Sequence, residues 1–176
     1  METTPSGTSV GVDDPYEHVE RCDHLTDDGR CHFAVEHRER DPAFARERET
    51  DAFRCPVGSE DWEWCDCPHF RACNTHRACV RCGLEAARMA HSAERPLLET
   101  HHLSYANRET EEDAQPPAHE ITVTLCRWCH ARVHDSWARI DDDASPPKAA
   151  IAAREARRTR ERAEFEFRSA AERRRE

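Results

Sequence analysis

Ten cysteines and twelve histidines in 176 residues are the feature that most constrains how this chain can fold. Four of the cysteines form two Cys-x-x-Cys pairs, Cys79–Cys82 and Cys126–Cys129. A small secreted protein could use such cysteines for disulfides, but residues 1–15 lack the basic and apolar regions of a secretory signal. A metal-binding protein of the reducing cytoplasm is therefore expected. The two pairs supply the four thiolates that a structural Zn²⁺ prefers, and a redox Cys-x-x-Cys motif is the alternative.

The composition is that of a polar chain with only a small core. Hydrophobic residues make up 37% and charged residues 35% of the chain, and the mean hydropathy is −0.97. No apolar run approaches the roughly 18 residues of a membrane-spanning helix, so no membrane association is expected. Small cores are often stabilised by metal ions. Lys148 is the only lysine among 26 basic residues, and together with the net charge of −10 this suggests a halophilic protein.

Composition divides the chain into five segments. A tail at 1–15, expected to be disordered, precedes a Cys- and His-rich segment at 16–76. The paired motifs occupy 77–140, and a linker at 141–147 leads to an Arg-, Glu- and Ala-rich helix at 148–176. The linker ends in Pro-Pro, which suits the start of a helix. The thin apolar stripe of that helix is enough for docking on the rest of the chain, on a protein partner or on the same helix of a second molecule.

The segment with the paired motifs predicts an α+β fold. Residues 86–91 and 97–102 are typical of two short strands around a turn, and the β-branched run at 121–125 predicts another strand. A helix is predicted at 127–140. Its apolar side chains at helical spacing form one predicted buried stripe, namely Val133, Trp137 and Ile140.

Histidines occur on the predicted second strand and just after the second Cys pair. His130 and His134 are four residues apart, so on a helix both imidazoles point the same way and can bind one metal ion. His101 on the strand can complete a set of three ligands. His102 points to the opposite face of the strand, where a neutral imidazole can act as general base on a substrate. Alternatively, these histidines ligate the structural zinc or lie on the surface.

The combined pattern from Cys79 to His134 resembles the HNH endonucleases of the ββα-metal, or His-Me finger, type. The resemblance implies a β-hairpin and a helix around one catalytic divalent ion (Mg²⁺, Mn²⁺, Ni²⁺ or Zn²⁺) and hydrolysis of phosphodiesters in DNA. His102 matches the family's general base. Three histidines match the positions of the family's ligands to the catalytic ion, namely His101, His130 and His134. Four cysteines match the ligands of the structural zinc in many members, namely Cys79, Cys82, Cys126 and Cys129. The whole chain also resembles small haloarchaeal proteins that carry an HNH-like motif.

One position departs from the family pattern. The middle residue of the motif, usually Asn, falls on Ile121 in this chain. The Asn normally fixes the general-base imidazole or helps to hold the metal, so a substitute is needed. His119 and Glu120 are neighbouring candidates, and Asn107 is a more distant one. Without a substitute, we expect a catalytically weak or inactive zinc module that binds nucleic acid or a protein partner.

The N-terminal segment contains a third group of metal-ligating residues. A second zinc is expected on Cys22, Cys31, Cys55 and one of Cys65 or Cys67, of which Cys67 is preferred. Rival ligand sets use other residues of the segment, namely His24, His69, Cys73 and His76. The segment has little pattern of its own and needs such a staple to fold. The alternative is a partly disordered lid with free thiols.

Arginines and tryptophans also lie close to the motif. Several arginines could contact DNA phosphates, and a salt-bridged surface is the alternative for most of them: Arg71, Arg77, Arg81, Arg127, Arg132 and Arg139. Trp128 and Trp137 are expected to pack against helices. Trp62 and Trp64 are expected to pack on the N-terminal zinc segment.

Overall fold

The computed structural model describes residues 2–58, 62–73, 76–86, 96–104 and 119–165. Within these ranges the protein is a small α+β fold with four α-helices and one three-stranded sheet. In chain order the elements are α1 His32–Glu36, α2 Pro42–Thr50, β1 Arg71–Cys73, β2 Leu98–Ser104, β3 Glu120–Cys126, α3 Arg127–His134 and α4 Lys148–Phe165. The chain divides into two compact units, a first unit of Met1–Asn74 with His102–Val123 and a second unit of Thr75–His101 with Thr124–Glu176.

Helices α1 and α2 of the first unit pack around aromatic side chains. Asp41 caps α2, because its carboxylate accepts a hydrogen bond from Phe44 N at 3.0 Å, and Pro42 suits the first helical position. Phe33 of α1 and Phe44 of α2 are both buried. The His69 ring stacks on Phe33 with a centroid distance of 3.9 Å. This small cluster is the core on which the Cys-rich segment is built.

The N-terminal residues fold back on themselves. Glu2 N donates to Val12 O at 3.0 Å, and Val10 N donates to Glu2 O at 3.1 Å. Val10 and Val12 are fully buried. This differs from the disordered tail expected at 1–15, because burial of two valines offsets part of the entropy lost by ordering the polar residues around them.

The sheet has the strand order β1-β3-β2. β1 pairs in parallel with β3, and Arg71 lies opposite Glu120. Arg127 N, just after β3, donates to Leu97 O, just before β2, at 3.0 Å, so β2 and β3 run in opposite directions. Every residue of β3 after Glu120 is buried, as expected of a β-branched central strand.

Two of the three strands predicted between and beside the Cys pairs are confirmed. β2 covers most of the strand predicted at 97–102, and β3 includes all of the one predicted at 121–125. The strand predicted at 86–91 lies outside the described residues, apart from its first position.

Helix α3 is shorter than predicted. It ends at His134, and Ser136 follows with a φ of +59°, a left-handed conformation that stops the helix. Val133 and Ile140 are buried as predicted. Trp137 lies beyond the helix end and is 73% exposed, so the prediction that it belongs to the buried stripe is wrong.

Helix α4 begins after Pro147, whose carbonyl accepts hydrogen bonds from the amides of Ala150 and Ile151. Its buried face contains Ile151, Glu155 and Ala156, so the helix packs within the second unit. The rest of the helix predicted at 148–176 lies outside the described residues. None of the described helices combines the length and the apolarity needed to cross a membrane.

Candidate metal centres

The four cysteines of the two Cys-x-x-Cys pairs converge in the second unit. Their sulfur atoms lie within 4.8 Å of one another, and three of the four residues are buried. Cys79 lies in a turn closed by its bonds to Leu84 O and Gly83 N, and Gly83 adopts a φ of +68° that favours glycine. The other pair joins the end of β3 to the first turn of α3. This four-cysteine cluster could hold a structural metal ion.

Within the four-cysteine cluster the pKa of one thiol is lowered, while the pKa of each of the other three is raised. Hydrogen bonds from the thiols of Cys126 and Cys129 lower the pKa of the Cys79 thiol far below its ordinary value. Arg81 places its Nη1 atom 3.6 Å from Cys129 Sγ, and its Nε donates to Arg139 O at 3.0 Å. Four thiolates with one divalent ion carry a net negative charge, and a fixed guanidinium beside them offsets part of it. Arg81 therefore serves this cluster.

A second cluster in the same unit consists of three histidines. Ligand nitrogen atoms of His101, His130 and His134 all lie within 4.8 Å of one another. The Nε2 atoms of His130 and His134 are 3.0 Å apart, one turn from each other on α3. The His101 ring, buried on β2, lies 5.1 and 4.9 Å from these two rings by centroid. Three converging imidazoles are a suitable donor set for a divalent transition-metal ion.

Glu99 orients one of these histidines. Its Oε2 atom lies 2.6 Å from His130 Nδ1. A carboxylate that accepts a hydrogen bond from Nδ1–H fixes the tautomer and leaves the Nε2 lone pair for a metal ion. The sequence analysis missed Glu99. A signal was present, because Glu99 and His101 are two residues apart and therefore share one face of a strand.

His102 lies in the first unit, and its side chain is 36% exposed. The Glu120 Oε1 atom is 3.6 Å from His102 Nε2. Glu120 Oε2 accepts a hydrogen bond from Arg71 Nε at 2.9 Å, and this bond keeps the pKa of the Glu120 carboxyl below its ordinary value. The imidazole therefore has a negatively charged neighbour at neutral pH.

The other candidates for the missing Asn are placed differently. Ile121 is 1% exposed and lies opposite Ala72 in the sheet. His119 is buried, and its Nδ1 lies 2.6 Å from the Tyr16 hydroxyl. Asn107 lies outside the described residues. Of the two candidates among the described residues, His119 and Glu120, the structure places Glu120 beside His102.

A cavity of about 520 Å³ lies next to the histidine cluster in the second unit. Its lining includes two cluster histidines, four arginines, two tryptophans and three acidic residues: His130, His134, Arg127, Arg132, Arg154, Arg158, Trp128, Trp137, Glu99, Asp135 and Glu155. The Arg154 guanidinium is 4.3 Å from the Trp128 ring centroid, and that of Arg132 is 5.4 and 5.6 Å from Trp128 and Trp137. These alternating cations and rings form a continuous stack along the wall.

The arginines considered as phosphate contacts have different surroundings. Arg71 pairs with Glu120, and Arg127 is buried against Glu155. Arg132 differs, since its Nε atom is buried without a hydrogen-bond partner among the described residues and its guanidinium stacks on the cavity wall. Arg132 therefore lines the cavity with a nitrogen atom that no described residue binds, and Arg77 is exposed.

The expected ligands of a second zinc all lie in the first unit. Cys22, Cys31 and Cys67 are buried and Cys55 is half-buried, whereas Cys65 is exposed. These cysteines are not among the groups of described residues whose ligand atoms all lie within 4.8 Å of one another, so the structure does not bring them together at metal-binding distances.

Fold and clusters together define a small α+β protein with groups of side chains that could hold metal ions. The chain belongs to a protein family of unknown function, DUF7097, whose family model matches residues 1–173. No curated protein and no solved structure is significantly similar to the chain. The resemblance to HNH endonucleases therefore stays a prediction.

Proposed function

We propose that the protein is a metal-dependent DNA endonuclease of the HNH type. The proposal depends above all on the converging imidazoles of His101, His130 and His134. Glu99 supports it, because its carboxylate lies within hydrogen-bond distance of His130 Nδ1. A divalent ion held there supplies Lewis-acid stabilisation of the scissile phosphate and of the leaving oxygen. A zinc ion on the four-cysteine cluster has a structural role in the proposal, because it fixes the junction of β3 and α3 that carries His130 and His134.

His102, the residue that follows His101 in the chain, is the general base in this proposal. It takes a proton from water while the water oxygen attacks phosphorus, and the bond from phosphorus to the 3′-oxygen breaks. Glu120 is a positioning residue, since its carboxylate stabilises the protonated imidazole that results. This arrangement would replace the Asn that Ile121 cannot supply.

The cavity beside the histidine cluster supports a substrate that carries both phosphates and rings. Arg132 and Arg158 on its wall offer positive charge, and the exposed Trp137 offers a face for stacking. Phosphates attract arginine in any sequence context, and unstacked bases bind to aromatic rings. Both contacts are independent of base identity, so cleavage without strong sequence preference is expected of this chain.

A second function is favoured by the burial of Ile121. At the position where the family has Asn, a buried apolar side chain cannot orient the base or bind metal. If Glu120 does not compensate, the protein is a zinc module that binds nucleic acid or a protein partner without cutting. The two functions differ in one observable property, which is metal-dependent cleavage by folded, zinc-loaded protein.

The test is a plasmid-nicking assay in high-KCl buffer with Mg²⁺, Mn²⁺, Ni²⁺ or EDTA. We expect metal-dependent nicking by the wild type and a loss of about 10²–10⁴-fold in His102→Ala, the usual contribution of a general base. His32→Ala is the matched control, because His32 is exposed on α1 and belongs to neither cluster. DNA binding without nicking would favour the second function. Full activity of folded His102→Ala would exclude His102 as the base.

A further inference from the structure

A stack of alternating guanidinium groups and indole rings lines the cavity of the second unit and ends at Trp137. The Arg154 guanidinium lies 4.3 Å from the Trp128 ring centroid. The Arg132 guanidinium lies between the two rings, 5.4 Å from the Trp128 centroid and 5.6 Å from the Trp137 centroid. Trp137 is 73% exposed, so most of its ring remains open to another flat group. An open indole is a platform on which an unstacked base can bind, whatever its identity.

The backbone holds Trp137 at this place. Helix α3 ends in a Schellman motif, in which Ser136 N donates to Val133 O at 3.0 Å and Trp137 N donates to Arg132 O at 2.8 Å. The left-handed position of the motif usually belongs to glycine, and here Ser136 adopts it with a φ of +59°. The apolar contact that usually accompanies the motif is replaced by the stack of Arg132 on Trp137. The exposed ring is therefore fixed by the end of the helix.

The charges of the cavity favour an anionic ligand. Two of its three acidic residues already pair with basic side chains of the wall, Glu99 with His130, and Glu155 with Arg127 and Arg154. Asp135 is the third, and it faces two arginines of the lining, Arg132 and Arg158, with which no described residue forms an ion pair. The wall thus has an excess of positive charge even before a metal ion binds. An anion is attracted to such a cavity and a cation is repelled.

The size of the cavity suits one nucleotide. Its volume of about 520 Å³ lies in the range of pockets that hold small ligands, about 300–1,000 Å³. In a duplex the bases are paired and stacked, so that only their edges are accessible in the grooves. An unpaired nucleotide, in contrast, offers a free base face together with its phosphate. The open ring of Trp137 and the uncompensated charge therefore match an unpaired nucleotide better than a duplex.

We propose that this cavity binds one unpaired nucleotide of the substrate, with its base on Trp137 and its phosphate against Arg158. Arg132 adds positive charge behind the ring. The preferred substrate is then DNA with unpaired nucleotides, such as a single strand or a gapped duplex, and not an intact duplex. The inference rests on the proposed function, because His130 and His134 line the same cavity and place the bound nucleotide beside the proposed catalytic ion.

The first experiment measures binding by fluorescence anisotropy with the full-length protein and without added divalent ions. The probes are a short fluorescein-labelled oligo(dT) strand, a blunt GC-rich duplex of the same length and a duplex with a short oligo(dT) gap. We expect the strand and the gapped duplex to bind about tenfold or more tightly than the blunt duplex, the effect of stacking about one base. Equal affinity for the strand and the blunt duplex would overturn the proposal.

Variants of Trp137 test the stacking contact. Trp137→Leu should weaken oligo(dT) binding by about 5–150-fold, whereas Trp137→Phe should retain most of it because a ring remains. Both variants should fold, since the side chain is 73% exposed. Displacement of oligo(dT) by inorganic polyphosphate, which has no base, should need about the same polyphosphate concentration relative to its own affinity in each variant. Unchanged oligo(dT) affinity in folded Trp137→Leu would overturn the proposal.

Neighbouring arginines on α4 test the phosphate contact. Arg158→Gln should reduce the slope of log affinity against log KCl concentration by about 0.7, the value for one phosphate of a single strand. Arg157→Gln is the matched control, because Arg157 pairs with Glu161 and does not line the cavity. Equal slopes in the two variants would overturn the assignment of Arg158.

Cleavage separates this inference from the proposed function. Negative supercoiling favours local opening of a duplex, so a supercoiled plasmid offers unpaired nucleotides and a relaxed one offers fewer. Strand-selective binding without any nicking would support the inference and contradict the nuclease. Nicking of relaxed plasmid as fast as of supercoiled plasmid would support the nuclease and overturn the inference.

Discussion

Glu155 is the buried charge that fixes α4 to the rest of the second unit. Its side chain is 1% exposed, and its Oε2 atom lies 2.9 Å from Arg127 Nε, whose side chain is 7% exposed. Its Oε1 atom lies 2.6 Å from Arg154 Nη1. Glu155→Ala would leave the Arg127 guanidinium buried without a counter-charge. We therefore expect a strong loss of stability.

The size of the expected loss of stability depends on the hydrogen bonds that Arg127 would keep in Glu155→Ala. Removal of one partner of a buried ion pair typically costs about 3–5 kcal/mol. Arg127 would retain its bonds to Pro96 O at 3.2 Å and Thr159 Oγ1 at 3.3 Å, which places the estimate near the lower limit. About 3 kcal/mol corresponds to a melting temperature about 6–12 °C lower in a chain of this size.

Urea unfolding followed by circular dichroism, at one fixed high KCl concentration, measures the effect. Glu161→Ala is the control, because Glu161 pairs with Arg157 on the same helix at 3.8 Å with both side chains more than half exposed. That pair should contribute less than about 0.5 kcal/mol. Equal shifts of the unfolding midpoint in the two variants would refute the argument from burial.

Four other variants test the sites. Cys79→Ser should release one zinc and unfold the second unit, because the metal supplies folding energy; retained zinc with a native melting curve would count against four-thiolate ligation. Glu99→Gln should weaken binding of the catalytic ion about 10–100-fold by calorimetry with Mn²⁺ or Co²⁺, at unchanged melting temperature. Trp137→Ala should keep the stability, since the ring is 73% exposed, but lower DNA affinity by about 1–3 kcal/mol in fluorescence titrations; unchanged affinity would remove Trp137 from the interface. Glu120→Gln should keep metal binding while nicking falls about 10–100-fold, and wild-type rates would show that the charge has no role.

Local spacing was sufficient to predict the parts of the fold and of the sites that lie within one element. The β-branched run at 121–125 predicts a buried strand because no other element accommodates such residues as well. His130 and His134 follow from the helical repeat, and the two Cys pairs follow from the ligand geometry of zinc. In each case, one turn or one strand brings the residues together without help from distant contacts.

Features that depend on distant or single backbone contacts could not be predicted. No glycine or proline marks the end of α3, and the exposure of Trp137 follows from the left-handed Ser136. Glu155 lies on the buried side of α4 because Arg127 faces it from α3, and periodicity favours an apolar residue at such a place. The spacing of Glu99 and His101 places both on one face of a strand, but the contact of Glu99 with His130 on α3 depends on the three-dimensional fold.

The replacement at the Asn position bears directly on whether the protein cuts DNA. An amide can hold an imidazole by one hydrogen bond, but the 3.6 Å between Glu120 Oε1 and His102 Nε2 is too long for a strong one. A carboxylate acts over such a distance through its charge, which favours the imidazole once it has taken a proton. Arg71 holds Glu120 in its charged form. A base assisted by charge at this position is therefore physically consistent with the loss of Asn, so the non-cutting protein favoured by the burial of Ile121 requires that Glu120 fail in this role.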